Sequence, residues 1–301
     1  MKTIAVIGSN GFLSNAITSR FINEGWIVNV YGLEEPTNGA FSKFFKTDLI
    51  REELNYHELA SNDIIVYAAG AGIQSNLKES TDLIFNLNVF VPIKICNQLK
   101  KVDYIGTFIS FGSVFELGES LEAHVVNEED ILQSLYKAPN EYTVSKRVFS
   151  RFVDSYSHSF THWHFIIPTI YGPGENPKRL IPYTIYSILD SQELNFTSGE
   201  QTRQYVFVEE VPSLILLANQ SSLPTGIYNI EGSETITVKE LVTIIHDKMG
   251  VCVPQACFGS AQRADVGMKF LALDGSKLYK SCGFKSKVKI VDVIDKYIAQ
   301  R

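Results

Sequence analysis

The amino-acid sequence predicts an α/β protein, a doubly wound parallel sheet followed by a smaller α/β lobe, on three observations. Apolar runs alternate with amphipathic stretches through the first third of the chain. The first of those runs ends in a glycine-rich turn that opens a helix. After Tyr171 the rhythm breaks at Gly172-Pro173-Gly174 and Pro177, and the elements become shorter and less regular.

The elements follow in chain order. Residues 3–8, 26–31, 63–69 and 104–110 are apolar at nearly every position, as strands covered on both faces require. Between them, 12–24, 52–60 and 81–100 carry helical periodicity, and this alternation gives a sheet with helices on both faces. A long helix over 140–158 leads into a further buried strand at 163–169. Beyond it, 180–189, 211–219 and 238–249 read as helices, and 205–208 and 226–230 as short strands. The expected organisation is a sheet domain over 1–170 and a lobe over 171–301 that shares segments with it.

Composition narrows the classes. The 301 residues are 45% hydrophobic and 20% charged, an ordinary globular balance and enough chain for one large core. A net charge of −6 and the lack of any basic run argue against a nucleic-acid surface. A few local arginines could still hold an anionic small molecule. No stretch reaches the roughly 18 apolar residues of a membrane span, and the N-terminal residues do not form an export signal. Cys96, Cys252, Cys257 and Cys282 show neither a CxxC nor a histidine at ligand spacing. Free thiols, a cytoplasmic location and no metal are the expectation. His57, His124, His158, His162, His164 and His246 show no ligand spacing either. His162 and His164 flank Trp163 on a strand and read as structural.

The glycine-rich turn is Gly8-Ser9-Asn10-Gly11-Phe12-Leu13-Ser14, a GxxGxx(G) loop with serine in the third glycine slot. The first glycine permits the tight turn and the second lets backbone approach a pyrophosphate. The helix it opens supplies N–H donors and partial positive charge. Standing between the first strand and the first helix, it predicts a Rossmann-type dinucleotide site. The second strand ends at Gly32 rather than at an acid for a ribose hydroxyl. That leaves room for a 2′-phosphate, yet Glu34 and Glu35 follow and no arginine does. The expectation is NADP(H), with NAD(H) the alternative.

Tyr142-Thr143-Val144-Ser145-Lys146 puts a phenol and an amine at i and i+4 on one helix face. A cation beside the phenol favours its ionisation. Lowering a tyrosine from about 10 to near neutrality corresponds to roughly 4 kcal/mol, enough to make it a general acid or base.

Together these motifs resemble the extended short-chain dehydrogenase/reductases, the NAD-dependent epimerase/dehydratase family, along the whole chain. The resemblance implies an adenine contact at Asp48-Leu49 and a cofactor-lining strand end at Tyr67-Ala68-Ala69-Gly70. Gly8, Asn10, Gly11, Phe12 and Leu13 would cradle the pyrophosphate, with Ser110 beside the cofactor. Asn88-Val89 matches the family's helix motif. Ile170-Tyr171-Gly172-Pro173-Gly174 resembles its VYGPG turn, with Thr169 and Asn176 implied as substrate contacts. The segment from Gly199 to Val211 resembles the GxxxRDFVYVDDV signature, where Arg203 would bind a diphosphate. Arg263-Ala264-Asp265 resembles a second phosphate- and ribose-binding element. The helices over 81–100 and 140–158 would form a homodimer seam.

One departure stands out. The family carries Ser or Thr three residues before the V-Y pair, and Phe111 fills that slot in Ile109-Ser110-Phe111-Gly112-Ser113-Val114-Phe115. Either Ser110 or Ser113 takes over the hydroxyl role, with Ser113 preferred, or Tyr142 acts alone. The Asp-Glu pair of 4,6-dehydratases is missing from this segment, which argues against dehydration. The stretch from Gly174 to Tyr183 resembles nucleotide-sugar 4-ketoreductases of the CDP-abequose synthase type. The implied reaction is reduction of a nucleoside-diphosphate 4-keto-6-deoxyhexose for deoxysugars of surface polysaccharide such as O-antigen. The alternatives are a 4-epimerase with tightly held NAD and a non-catalytic dinucleotide sensor.

Overall fold

The computed structural model describes residues 1–73, 78–120, 122–254, 257–261 and 267–301. Seven parallel strands form the main sheet in the order β3-β2-β1-β4-β5-β6-β9. They are β1 (Thr3–Ile7), β2 (Ile27–Gly32), β3 (Lys43–Lys46), β4 (Ile64–Tyr67), β5 (Thr107–Ser113), β6 (Thr161–Ile167) and β9 (Gly226–Asn229). The order reverses beside β1, between β1 and β4, the switch point at which doubly wound sheets bind ligands. The doubly wound reading therefore holds.

Both faces are covered, which is why the central strands are apolar at successive positions. On one face lie α1 (Phe12–Asn23) and α8 (Glu210–Gln220), burying Leu13, Ile17 and Phe21 with Val211, Leu214 and Ile215. On the other lie α2 (Tyr56–Leu59) and α4 (Val91–Lys101), which bury Leu59, Ile95, Cys96 and Leu99 against Ile65 and Phe108. Short α3 (Thr81–Phe85) runs into α4 through a π-helical turn, Asn86–Phe90. A short α5 (Glu128–Leu132) precedes α6 (Glu141–Ser155), which opens at Asn140, whose side chain accepts from Thr143 N.

The second layer is a small sheet in which β8 (Thr202–Phe207) pairs β7 (Thr169–Tyr171), β10 (Glu234–Thr237) and β11 (Phe270–Leu271). Around it pack α7 (Leu180–Leu189), α9 (Val238–Met249), α10 (Ser276–Cys282) and α11 (Ile294–Ala299). A Thr237–Glu240 capping box starts α9 and Gly250, at φ 70°, ends it. Between these elements the chain returns to the main sheet as β9, so the two halves interleave.

Candidate active site

The ends of β1, β4 and β5 converge with the start of α1 and one face of α6. Gly8 takes φ 111°, and a Cβ there would lie 2.8 Å from the Ala69 backbone nitrogen. Only glycine lets the β1–α1 turn close so tightly on the end of β4. Gly11 is the N-cap of α1, with no capping side chain and no acid in the first turn. Those N–H groups and the helix dipole form a cradle suited to a pyrophosphate. Ser14, in the third glycine's slot, is fully buried and has no hydrogen-bond partner for its hydroxyl. The residues present fit a dinucleotide.

Asn10 serves the loop beyond β2. Its amide donates to Glu35 O at 3.2 Å and its carbonyl oxygen accepts from Thr37 N at 3.1 Å. The backbone at Glu35 and Thr37 is thereby tied beside the turn. Asp48 caps its own turn, accepting from Ile50 N and Arg51 N, while Leu49 packs into the core beneath it. Ala68, Ala69 and Gly70 follow β4, and Asn88 fixes the residue after them. Its side chain accepts from Ala71 N and donates to Ala71 O and to Ser145 Oγ on α6. The π turn that presents Asn88 thus ties the cofactor-side loop to the Tyr142 helix.

On α6, Tyr142 is buried, and the hydroxyl it meets is Ser113. Ser113 in turn accepts from Phe115 N and donates its backbone N–H to Glu116 Oε1 at 2.7 Å. Lys146 Nζ donates to Phe111 O at 2.9 Å and stands 5.9 Å from the centre of the Tyr142 ring. The Phe111 side chain is packed in the core against Phe165. Ser110 is placed elsewhere. Its hydroxyl is fully buried between His162 Nε2 and His164 Nδ1, both at 2.8 Å, and His164 Nε2 continues to Ser150 Oγ at 2.9 Å.

The electrostatics differ from what the Tyr–Lys spacing alone suggests. Burial pushes the Tyr142 phenol up to about 12, with Ser113 and Arg179 opposing and Glu116 reinforcing. Burial also draws the Lys146 amine down to about 8, against Glu116. The phenol is therefore held as the acid, and the depressed tyrosine expected from the sequence is not found in the free protein. Two of these groups escaped the sequence reading. Glu116 is almost wholly buried, with its own pKa raised by burial, next to Ser150 and under the pull of Lys146 and Arg147. A lone acid in an otherwise apolar run, Val114 to Leu117, was the available signal. Arg179, the N-cap of α7, is held by Glu175 at 3.2 Å, and Glu175 is buried with Tyr297.

Beside Arg179 lies a cavity of about 330 Å³ lined by Pro177, Lys178, Tyr183, Phe196, Thr197 and Gln201. Asn176 precedes Pro177 in the chain, its side chain accepting from Lys178 N. Thr169 and Arg203 come from the adjoining sheet, where Thr169 pairs with Tyr205 and the buried Arg203 sits between β10 and β11. Arg263 and Asp265 lie outside the described residues.

Fold and glycine turn together define a doubly wound α/β protein with a cradle suited to a dinucleotide. The model of the NAD dependent epimerase/dehydratase family matches residues 4–230, and the chain belongs to that family. It is 25% identical over 270 residues to a dTDP-D-glucose 4,6-dehydratase of Dictyostelium discoideum, covering 81% of this chain and 62% of that one. It is 26% identical over 164 residues to the CDP-abequose synthase of Salmonella typhimurium, covering 50% and 52%. The matches thus span about half to three fifths of these relatives' length. Among solved structures, a variant of UDP-glucuronic acid 4-epimerase from Bacillus cereus, in complex with a UDP-4-deoxy-4-fluoro-glucuronic acid and NAD, superposes with a TM-score of 0.83. That match has 18% identity and covers 99% of both chains. No helix among the described residues is long and apolar enough to cross a membrane.

Proposed function

We propose that this chain reduces the C4 ketone of a nucleoside-diphosphate 4-keto-6-deoxyhexose. The observation that carries the reading is the phenol of Tyr142, buried beside the Ser113 hydroxyl, with burial pushing its pKa up. Ketone reduction needs a proton donor at the carbonyl oxygen, and a phenol kept neutral by burial is such a donor. When bound, the reduced nicotinamide supplies the hydride. Tyr142 gives its proton to the oxygen that gains negative charge, and Ser113 steadies the same oxygen by a second hydrogen bond. Lys146 and Arg179 are the cations that stabilise the phenolate left behind until solvent reprotonates it. The absence of an Asp-Glu pair beyond Ser113 removes the groups that elimination would need.

The nucleotide fits the cavity beside Arg179, with Asn176 and Thr169 toward the sugar and Arg203 toward the diphosphate. Arg263 and Asp265 would complete that end. Cofactor choice is proposed to fall to NAD(H): Asn10 ties the backbone at Glu35 and Thr37 beside the turn, and the acidic Glu34-Glu35 pair there would repel a 2′-phosphate. A homodimer through the α4 and α6 faces and a cytoplasmic location complete the reading.

Absorbance at the reduced nicotinamide band, followed with a dTDP- or CDP-4-keto-6-deoxyglucose, tests it. One equivalent of cofactor oxidised per sugar reduced is the expected result, with NADH used more efficiently than NADPH. Interconversion of 4-epimers with no net consumption would overturn it in favour of an epimerase, and binding without turnover in favour of a sensor.

A further inference from the structure

Three donor atoms, two of them four residues apart and the third more than sixty residues earlier, meet at the end of the sheet away from Tyr142. Cys96 comes from α4, His158 from the connection between α6 and β6, and His162 from the second position of β6. The Cys96 sulfur and one ring nitrogen of each histidine all lie within 4.8 Å of one another. Cys96 and His162 are buried and His158 is half-buried.

A packing role alone does not account for the polar atoms. His158 stacks on Phe160, with ring centroids 4.7 Å apart, which explains the ring but not its nitrogen. His158 Nε2 and His162 Nδ1 are both shielded from water and have no hydrogen-bond partner. Two such orphans side by side are costly unless something supplies what they lack. His162's other nitrogen is already engaged, bonded to Ser110 Oγ at 2.8 Å and through it to His164. A metal-binding imidazole is typically oriented in this way by a second hydrogen bond on its far nitrogen. A cavity of about 490 Å³, lined by both His158 and His162 together with Asp154 and Ser157, leads to the cluster. It brings solvent up to the two imidazole rings.

We propose that Cys96, His158 and His162 form a binding site for a borderline-soft divalent cation such as Zn(II). One sulfur and two imidazole nitrogens are the donor types that such ions select. Tetrahedral bonding at about 2.0–2.3 Å puts donors roughly 3.5 Å apart, so modest side-chain rotation closes the cluster. Binding is not a redox step: the Cys96 S–H bond breaks, a metal–sulfur bond forms, and the proton leaves to solvent. The site is separate from the chemistry. His162 and Ile167 stand five positions apart on β6, and Ile167 pairs Ser113, which puts about 16 Å between the two centres. The ion would clamp α4 and the α6–β6 connection onto β6, beneath the helix that carries Tyr142 and Lys146.

Chelator-treated full-length protein titrated with Co(II), and then with Zn(II) against a chromophoric chelator, tests the site. The expected result is one equivalent bound, with a sulfur-to-cobalt charge-transfer band in the near ultraviolet and visible bands of tetrahedral intensity. Cys96→Ser should abolish the charge-transfer band. Because Cys96 is in the core, His158→Asn serves as the second variant: half-exposed, it should keep its fold by circular dichroism and lose at least about 100-fold in Zn(II) affinity. The proposal is overturned if no one-to-one binding is seen. It is equally overturned if the band and the affinity persist in both variants, which would place the ligands at another cysteine. Neither readout depends on the reaction catalysed.

Discussion

Replacing Lys146 by methionine should stabilise the cofactor-free protein at neutral pH while abolishing turnover. The Lys146 pKa is drawn from the usual 10.5 down to about 8 by burial, with Glu116 opposing. A lysine that holds its proton less tightly when folded contributes full stability above 10.5, and that stability is lost as pH falls through 8. The gap, at 1.36 kcal/mol per pH unit, amounts to at most about 3 kcal/mol at pH 7. Methionine is similar in length and a good helix former, so it removes this penalty without breaking α6. It also forfeits the 2.9 Å bond to Phe111 O, which offsets about 1 kcal/mol. The net gain is about 2 kcal/mol at pH 7, falling to about 1 kcal/mol near pH 9 and reversing near pH 10, just below the unfolded lysine pKa. Urea unfolding of both proteins at pH 7, 9 and 10 reads this directly. A variant less stable than wild type at pH 7, or a difference that does not change with pH, would refute the electrostatic account of the site.

Other substitutions separate the roles. Tyr142→Phe should fold normally and lose about 10²–10⁴-fold in kcat, measured by cofactor oxidation; retained turnover would remove Tyr142 as the proton donor. Ser113→Ala should lower kcat with little change in melting temperature. Ser110→Ala should act chiefly on stability, costing about 1–3 kcal/mol by stripping two buried imidazoles of a partner, and a reversed pattern in melting and kinetics would exchange the two assignments. Gly8→Ala, at φ 111° and against the Ala69 backbone, should cost about 1–3 kcal/mol of strain and weaken dinucleotide binding by calorimetry; unchanged affinity would show that the turn does not approach the ligand.

The fold was largely legible because buried parallel strands are apolar at successive positions and helices are not. The misses have physical reasons. β3, Lys-Phe-Phe-Lys, is a short edge strand with charged ends and no apolar run, and β10, Glu-Thr-Ile-Thr, sits in the small sheet with little burial. The helix expected over 52–60 shrinks to Tyr56–Leu59 because Asp48 and Asn55 cap separate turns around residues 48–58. The helix expected over 81–100 is broken by a π turn whose cause is tertiary: Asn88 must reach both Ala71 and Ser145. The loop glycines and the Tyr–Lys pair were readable as spacing. The buried carboxylates of Glu116 and Glu175 were not, since their neighbours come from other elements.

The choice between Ser110 and Ser113 shows how far local geometry carries. Side chains alternate across a strand, so residues 111 and 113 share a face and 110 points to the other. Displacing the hydroxyl proposed to assist Tyr142 from 111 to 113 therefore keeps it on the same face and moves it about 7 Å toward the C-terminal end of β5, the end where ligands bind in such sheets. Ser110, one residue earlier, faces the other side of the strand, and its hydroxyl is already committed to His162 and His164. The place of Ser113 at the last residue of β5, with Ser110 engaged elsewhere, decides which serine meets Tyr142. It also explains Glu116: a hydroxyl placed at the last residue of the strand needs its backbone held, and the Glu116 carboxylate does so by accepting the Ser113 N–H. The same carboxylate raises the Tyr142 and Lys146 pKa values together, so the phenol stays protonated and the amine stays charged. Those are the protonation states that the proposed ketone reduction requires before hydride transfer.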